Sequence, residues 1–202
     1  MSSFTPRLTA PVTATNKYYR YPGYYDGAVN GVNDCLLINA STGAVMPNCV
    51  GYAWGRAYEL LGTRPTLCQG DAYLWWTYND GYQRSPLQGN GYAGQDAPKL
   101  GAIVCMDYPN PGHVAVVEKL NGDGSWEISE SRYGGAFFMT GTIAWSSGSQ
   151  KWFCWYDDGH GGSVNPWDVK GFIYPPYDFY NIGEFKFLST AKKKIRRRKI
   201  YV

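Results

Sequence analysis

Between residues 49 and 61 apolar side chains recur three and four positions apart, so Val50, Ala53, Trp54, Ala57, Tyr58 and Leu61 share one face of a predicted helix that Gly62 stops. A second, shorter helix is predicted across GDAYLWWTYND (70–80), with its aromatic stripe turned to the core. From residue 100 the period changes. GAIVCMD, HVAVVEKL and SWEISES alternate or run apolar, which marks strands, and NGDG at 121–124 predicts a hairpin turn between the last two. FFMTGTIAW, KWFCWYD and GFIYPP are three further strand candidates. Helices first and antiparallel strands afterwards define an α+β class, with helices packed on one twisted sheet. Residues 1–32, rich in Pro, Thr, Asn, Tyr and Gly without a helical period, are expected to form an extended arm. The folded unit is expected over 33–176, and 177–202 to be an extension in which YDFYNIGEFKF leads into a basic tail.

Composition narrows this picture. A chain of 202 residues suits one domain with a proper core. Abundant Gly (25), Tyr (18) and Trp (8) with only 17% charged residues fits a loop-rich α+β or β-rich domain and argues against a helical bundle. Most of the rings, Trp54, Trp75 and Trp76 among them, are assigned to the core. The net charge of +3 hides an asymmetry: KKKIRRRK at the end holds seven basic residues, leaving 12 Lys and Arg against 16 Asp and Glu elsewhere. The body is therefore mildly acidic, and nucleic-acid binding would rest on the tail alone. Five cysteines without a C-x-x-C spacing support neither a zinc ribbon nor a disulfide framework, and an odd count leaves at least one thiol outside any internal disulfide. No secretory signal pattern and no apolar run of membrane-spanning length is visible, so a soluble chain made in the cytoplasm is expected.

Two residues carry the chemistry. Cys49 lies at the start of the first helix, where unpaired N–H groups and the positive end of the macrodipole favour a thiolate. His113 follows PNPG at the point where a loop enters a strand, a position that holds a reactive side chain on a rigid scaffold. A thiol and an imidazole so placed are the minimal apparatus for cysteine nucleophilic catalysis. Asn48 and the amides after Cys49 could supply part of an oxyanion hole. The imidazole needs a partner for its second nitrogen. WEISES returns antiparallel beside HVAVVEKL, and its residues 128 and 130 share one face. Glu130 therefore points to the core side with Ile128, where a carboxylate is unexpected unless it serves a partner. Glu127 and Ser129, on the other face, are the fallback candidates.

The combination of NCVGYAWGR, PKLGAIVCMD, GHVAVVEKL and WEISES resembles the CHAP family, the cysteine, histidine-dependent amidohydrolases/peptidases of peptidoglycan. The likeness spans roughly residues 33–174. It implies a papain-like α+β fold with Cys49 as nucleophile, His113 as general base and Glu130 orienting the imidazole. The implied activity is cleavage of a peptidoglycan amide through a thioester, as an N-acetylmuramoyl-L-alanine amidase or an endopeptidase. Tyr108 and Tyr133 would flank the groove. Many members carry an Asn two positions after the acidic residue; here Arg132 stands there, either to pair with Glu130 or to meet substrate. Some relatives bind calcium ahead of the cysteine, and Asp26, Asn30, Asn33 and Asp34 could do so, although Asx-rich turns explain them as well. His160, with Asp157 or Asp158, lacks a third zinc ligand and is expected on a surface loop. The basic tail could hold anionic wall polymers or nucleic acid, or remain a solvated end. With no leader and no separate wall-binding domain visible, the expected setting is phage-encoded. The chain would be made in the host cytoplasm and act on the cell wall as an endolysin or a virion-associated lysin. A wall-binding or structural phage component on the same fold is the competing class.

Overall fold

The computed structural model of the chain describes residues 4–10, 18, 49–67, 70–78, 81–88, 98–107, 112–132, 138–156 and 167–180. It also gives the backbone of five two-residue strands. Four of these precede the first helix: β1 (Ala28–Val29), β2 (Val32–Asn33), β3 (Leu37–Ile38) and β4 (Val45–Met46), paired β1–β2 and β3–β4. The helices α1 (Cys49–Leu61) and α2 (Ala72–Trp75) follow. The remaining strands are β5 (Gln83–Gln88), β6 (Gly91–Tyr92), β7 (Ile103–Asp107), β8 (His113–Leu120), β9 (Trp126–Glu130), β10 (Met139–Ser146), β11 (Lys151–Tyr156) and β12 (Trp167–Tyr174).

The result is a mostly antiparallel sheet with few helices. Eight strands lie in the order β11-β10-β9-β8-β7-β12-β5-β6, and β11 pairs with β12 as well. That extra pairing curls β7 to β12 into a closed ring, with β5 and β6 as an outer flap. Closure buries one face of β8 and α1 covers the other, which explains why VAVV (114–117) is apolar without a break. Val114 and Val116 pack towards α1 with Ile103, Cys105 and Ile173. Ala115 and Val117 face the ring interior with Val104, Ile128, Ile143 and Phe172. Trp126 fills that interior, its ring 4.6 Å from Trp152 and 5.6 Å from Phe172. Burial of each such side chain is worth about 1.5–3 kcal/mol.

α1 covers the predicted span. Gly62 ends it with φ +72°, its N–H donating to the Tyr58 carbonyl at 2.9 Å. Residues 50–57 are buried all round, wider than the apolar stripe, because residues of the N-terminal arm cover the side that carries Arg56 and Glu59. The 121–124 turn joins β8 to β9, with the Asn121 N–H donating to the Ser125 carbonyl at 2.9 Å.

Two elements differ from expectation. α2 is four residues long, and of the rings across 70–78 only Trp75 is fully enclosed, while Tyr73 and Tyr78 are exposed. β5 (QRSPLQ) carries Pro86 and no strand pattern. It forms because the edge of β12 accepts it, Gly171 opposite Pro86 and Tyr174 opposite Gln83. A proline is tolerated there since β6 pairs only with Leu87 and Gln88 on the other side.

Gly171 sits at the β12 bulge, and a Cβ on it would meet the Ser85 carbonyl oxygen at 2.3 Å and the Trp76 ring at 2.8 Å. The Ser85 backbone cannot withdraw without unpairing β5 from β12. Gly171→Ala should therefore cost about 1–3 kcal/mol of stability by overpacking, read as a lower urea midpoint with an unchanged m value.

Candidate functional site

α1 runs beside β8 in the same direction, so the start of the helix and the start of the strand meet. Cys49, half-buried and outside any disulfide, is the first residue of the helix. His113 is the first residue of β8 and is buried. The thiol lies within hydrogen-bonding reach of the imidazole. What places His113 there is Gly112, at φ +74°. A Cβ on it would come 2.8 Å from the Tyr73 backbone nitrogen, so the loop is pressed onto the start of α2 and the next residue is held in place.

Behind the imidazole lies Glu130, the last residue of β9. Val117 pairs with Ile128 and Val116 with Ser129, and continuing that register sets Glu130 opposite Ala115, one same-face step from His113. Its carboxylate Oε2 is 2.5 Å from His113 Nε2, and Glu130 is fully buried. The second oxygen, Oε1, accepts a hydrogen bond from Arg132 Nε at 2.8 Å. Of the two roles open to Arg132 in the sequence, the structure shows the pairing with Glu130.

These contacts set the charge of the imidazole. Burial pulls the pKa of His113 down, but the Glu130 carboxylate and then the Cys49 side chain outweigh it and lift it to about 10. His113 is therefore an imidazolium at neutral pH. With Nε2 committed to Glu130, Nδ1 is the nitrogen that can exchange a proton with the thiol.

The fallback candidates face elsewhere. Glu127 pairs with Lys119 on the solvent side at 2.5 Å. Ser129 is buried against α1, where it accepts a hydrogen bond from the Tyr52 hydroxyl and donates one to Glu118. Asn48, Tyr108, Tyr133, His160, Asp157 and Asp158, Asp26, Asn30 and Asp34, the side chain of Asn33, and the basic tail lie outside the described residues. Among the described residues no three His, Cys, Asp or Glu side chains cluster as metal ligands. No described helix is long and apolar enough to cross a membrane.

Sequence reasoning missed a second buried polar group, Tyr52, Arg56 and Glu118. A signal for it existed: Glu118 shares the strand period of Val114 and Val116, so it had to face inward.

The geometry is that of a thiol–imidazole–carboxylate constellation on an antiparallel sheet, and residues 39–132 match the family described as CHAP domain. The matched span includes Cys49, His113 and Glu130. Two curated relatives are both named N-acetylmuramoyl-L-alanine amidase sle1. The protein of Staphylococcus aureus strain bovine RF122 / ET3-1 is 28% identical over 128 residues, 60% of this chain and 38% of the relative. That of strain USA300 is 33% identical over 86 residues, 42% of this chain and 25% of the relative. The chain therefore spans only a quarter to two fifths of the length of these relatives.

Proposed function

We propose that the chain hydrolyses an amide bond of bacterial peptidoglycan through a cysteine thioester. The observation that carries this reading is the buried His113, with Cys49 beside it and its Nε2 2.5 Å from the buried Glu130 carboxylate. The Cys49 thiolate attacks the amide carbonyl, and the tetrahedral intermediate collapses to a thioester as imidazolium His113 protonates the departing amine. Neutral His113 then takes a proton from water, the hydroxide adds to the thioester, and Cys49 leaves as thiolate, which restores the starting pair.

Arg132 has a place in this scheme. Thiolate, imidazolium, carboxylate and guanidinium sum to zero charge, so Glu130 can remain ionised in its fully buried site while it steadies His113. Names of the relatives favour the bond between the muramoyl lactyl group and L-alanine as the one cut.

Digestion of purified sacculi with the purified chain, followed by mass spectrometry, tests the proposal. Expected products carry newly exposed amino groups and no new reducing sugar ends, with free L-alanine amino termini if the muramoyl bond is cut. Tight binding to sacculi with no new amino groups would overturn it and leave the wall-binding class.

A further inference from the structure

Beneath the reacting pair lies the polar group built around Glu118, fully buried on β8. Its carboxylate accepts four hydrogen bonds: from Arg56 Nε at 2.9 Å and Ser129 Oγ at 2.7 Å on one oxygen, and from Arg56 Nη2 at 2.9 Å and the Arg7 backbone N–H at 2.8 Å on the other. All four lone-pair sites are filled. Ser129 Oγ, having spent its only proton on Glu118, accepts from the Tyr52 hydroxyl at 2.7 Å. Burial pushes the Tyr52 phenol well above its ordinary range, so it remains an O–H donor. The group continues outward. Arg56 also donates to Glu59 and to the Thr5 carbonyl at 2.6 Å, and the Arg7 guanidinium pairs with Glu59.

The positions of these residues are what matter. Tyr52 is one helical turn past Cys49, Ser129 immediately precedes Glu130, and Glu118 shares β8 with His113. One directional chain of hydrogen bonds therefore ties together the three elements that hold the reacting groups, with residues 5 and 7 of the arm closing it from outside. The apolar contacts of α1 on β8 resist separation but resist sliding only weakly, since dispersion and burial carry no directional preference. Directional hydrogen bonds in a dry interior do resist it.

We propose that the Tyr52–Ser129–Glu118 chain, closed by Arg56 and Arg7, is a positioning device that fixes α1 along β8 and β9 and so holds the Cys49 thiol at the His113 imidazole. Tyr52 and Ser129 are positioning residues: they act through Cys49 and Glu130. This rests on the reading of Cys49 and His113 as the reacting pair.

The test compares Tyr52→Phe, Ser129→Ala, the double variant and Ser129→Thr in the full chain, with two readouts. The first is the rate of iodoacetamide alkylation of Cys49 at neutral pH, followed on the Cys49 peptide by mass spectrometry. The second is kcat and KM on solubilised peptidoglycan. Since displacements near 1 Å can cost about a hundredfold in rate, a partial loosening should lower both alkylation and kcat by about tenfold, with KM within about twofold of wild type. The double variant should fall no further than either single one, because both break the same chain. Ser129→Thr, which keeps the hydroxyl, should recover most of the loss. Wild-type alkylation and wild-type kcat in both Tyr52→Phe and Ser129→Ala would overturn the proposal and leave the hydrolase reading standing. Slowed alkylation in those variants, with no hydrolysis even by wild type, would keep the positioning role and remove the hydrolase reading instead. Should Tyr52→Phe fail to melt cooperatively, Ser129→Ala carries the same comparison from the strand side.

Discussion

Cys49→Ala should lower hydrolysis of purified peptidoglycan by a factor of about a million, the scale of nucleophile removal from a catalytic triad. The melting temperature should stay within about 2–4 °C of wild type. The two expectations are separable because of where the thiol sits. Cys49 is half-buried at the first position of α1, so trimming it to a methyl group opens no enclosed cavity. Its backbone keeps its helical role. No other described thiol can substitute, since Cys105 and Cys154 are buried in the two halves of the core. Cys49→Ser separates shape from nucleophilicity: it keeps the hydrogen bond to His113 but should lose most of the rate. Undiminished lysis by pure Cys49→Ala protein would remove cysteine chemistry from the account.

The parts of this structure that were legible in the sequence are those governed by local periods. The i, i+3, i+4 spacing of Val50, Ala53, Trp54 and Ala57 and the stop at Gly62 mark α1 to the residue. Strand periods and the 121–124 turn mark β7 to β12 within a few residues. Glu130 emerged from the same logic, as a carboxylate on a face that had to be buried. Glu118 satisfied an identical condition but escaped notice, because three of its four hydrogen bonds come from a helix and from an arm more than a hundred residues away. No local pattern reports such a pairing. Pro86 hides β5 for a related reason: its strand exists only because the β12 edge was already built. Ring closure through the β11–β12 pairing was equally invisible, being a matter of accumulated twist, not of any one segment.

Changing Glu130 should produce the largest combined loss of stability and activity among the described residues. In the folded chain the carboxylate faces two cations, His113 through Oε2 and Arg132 through Oε1. Glu130→Ala strands both beside an empty, dry volume and should cost about 3–5 kcal/mol, the range for breaking a buried ion pair from one side. Glu130→Gln fills the space but offers a single oxygen, so either the imidazolium or the guanidinium must meet an amide N–H2. The pH dependence gives this its sharpest form. Burial depresses the His113 pKa, and Glu130 is the largest of the influences that raise it to about 10 from an ordinary 6.5. A group whose pKa is higher in the folded state binds its proton more tightly there. Its stabilisation is full below about 6.5 and is lost as pH rises through about 10. Wild-type stability should therefore decline between those limits, and in Glu130→Gln that decline should shrink and move to lower pH. The alkaline limb of hydrolysis should move down with it, since the leaving amine needs the imidazolium. Denaturant unfolding and initial rates, each taken at intervals from pH 6 to pH 10, measure the two together. An alkaline limb and an unfolding profile unmoved by Glu130→Gln would show that the carboxylate does not govern the proton on His113.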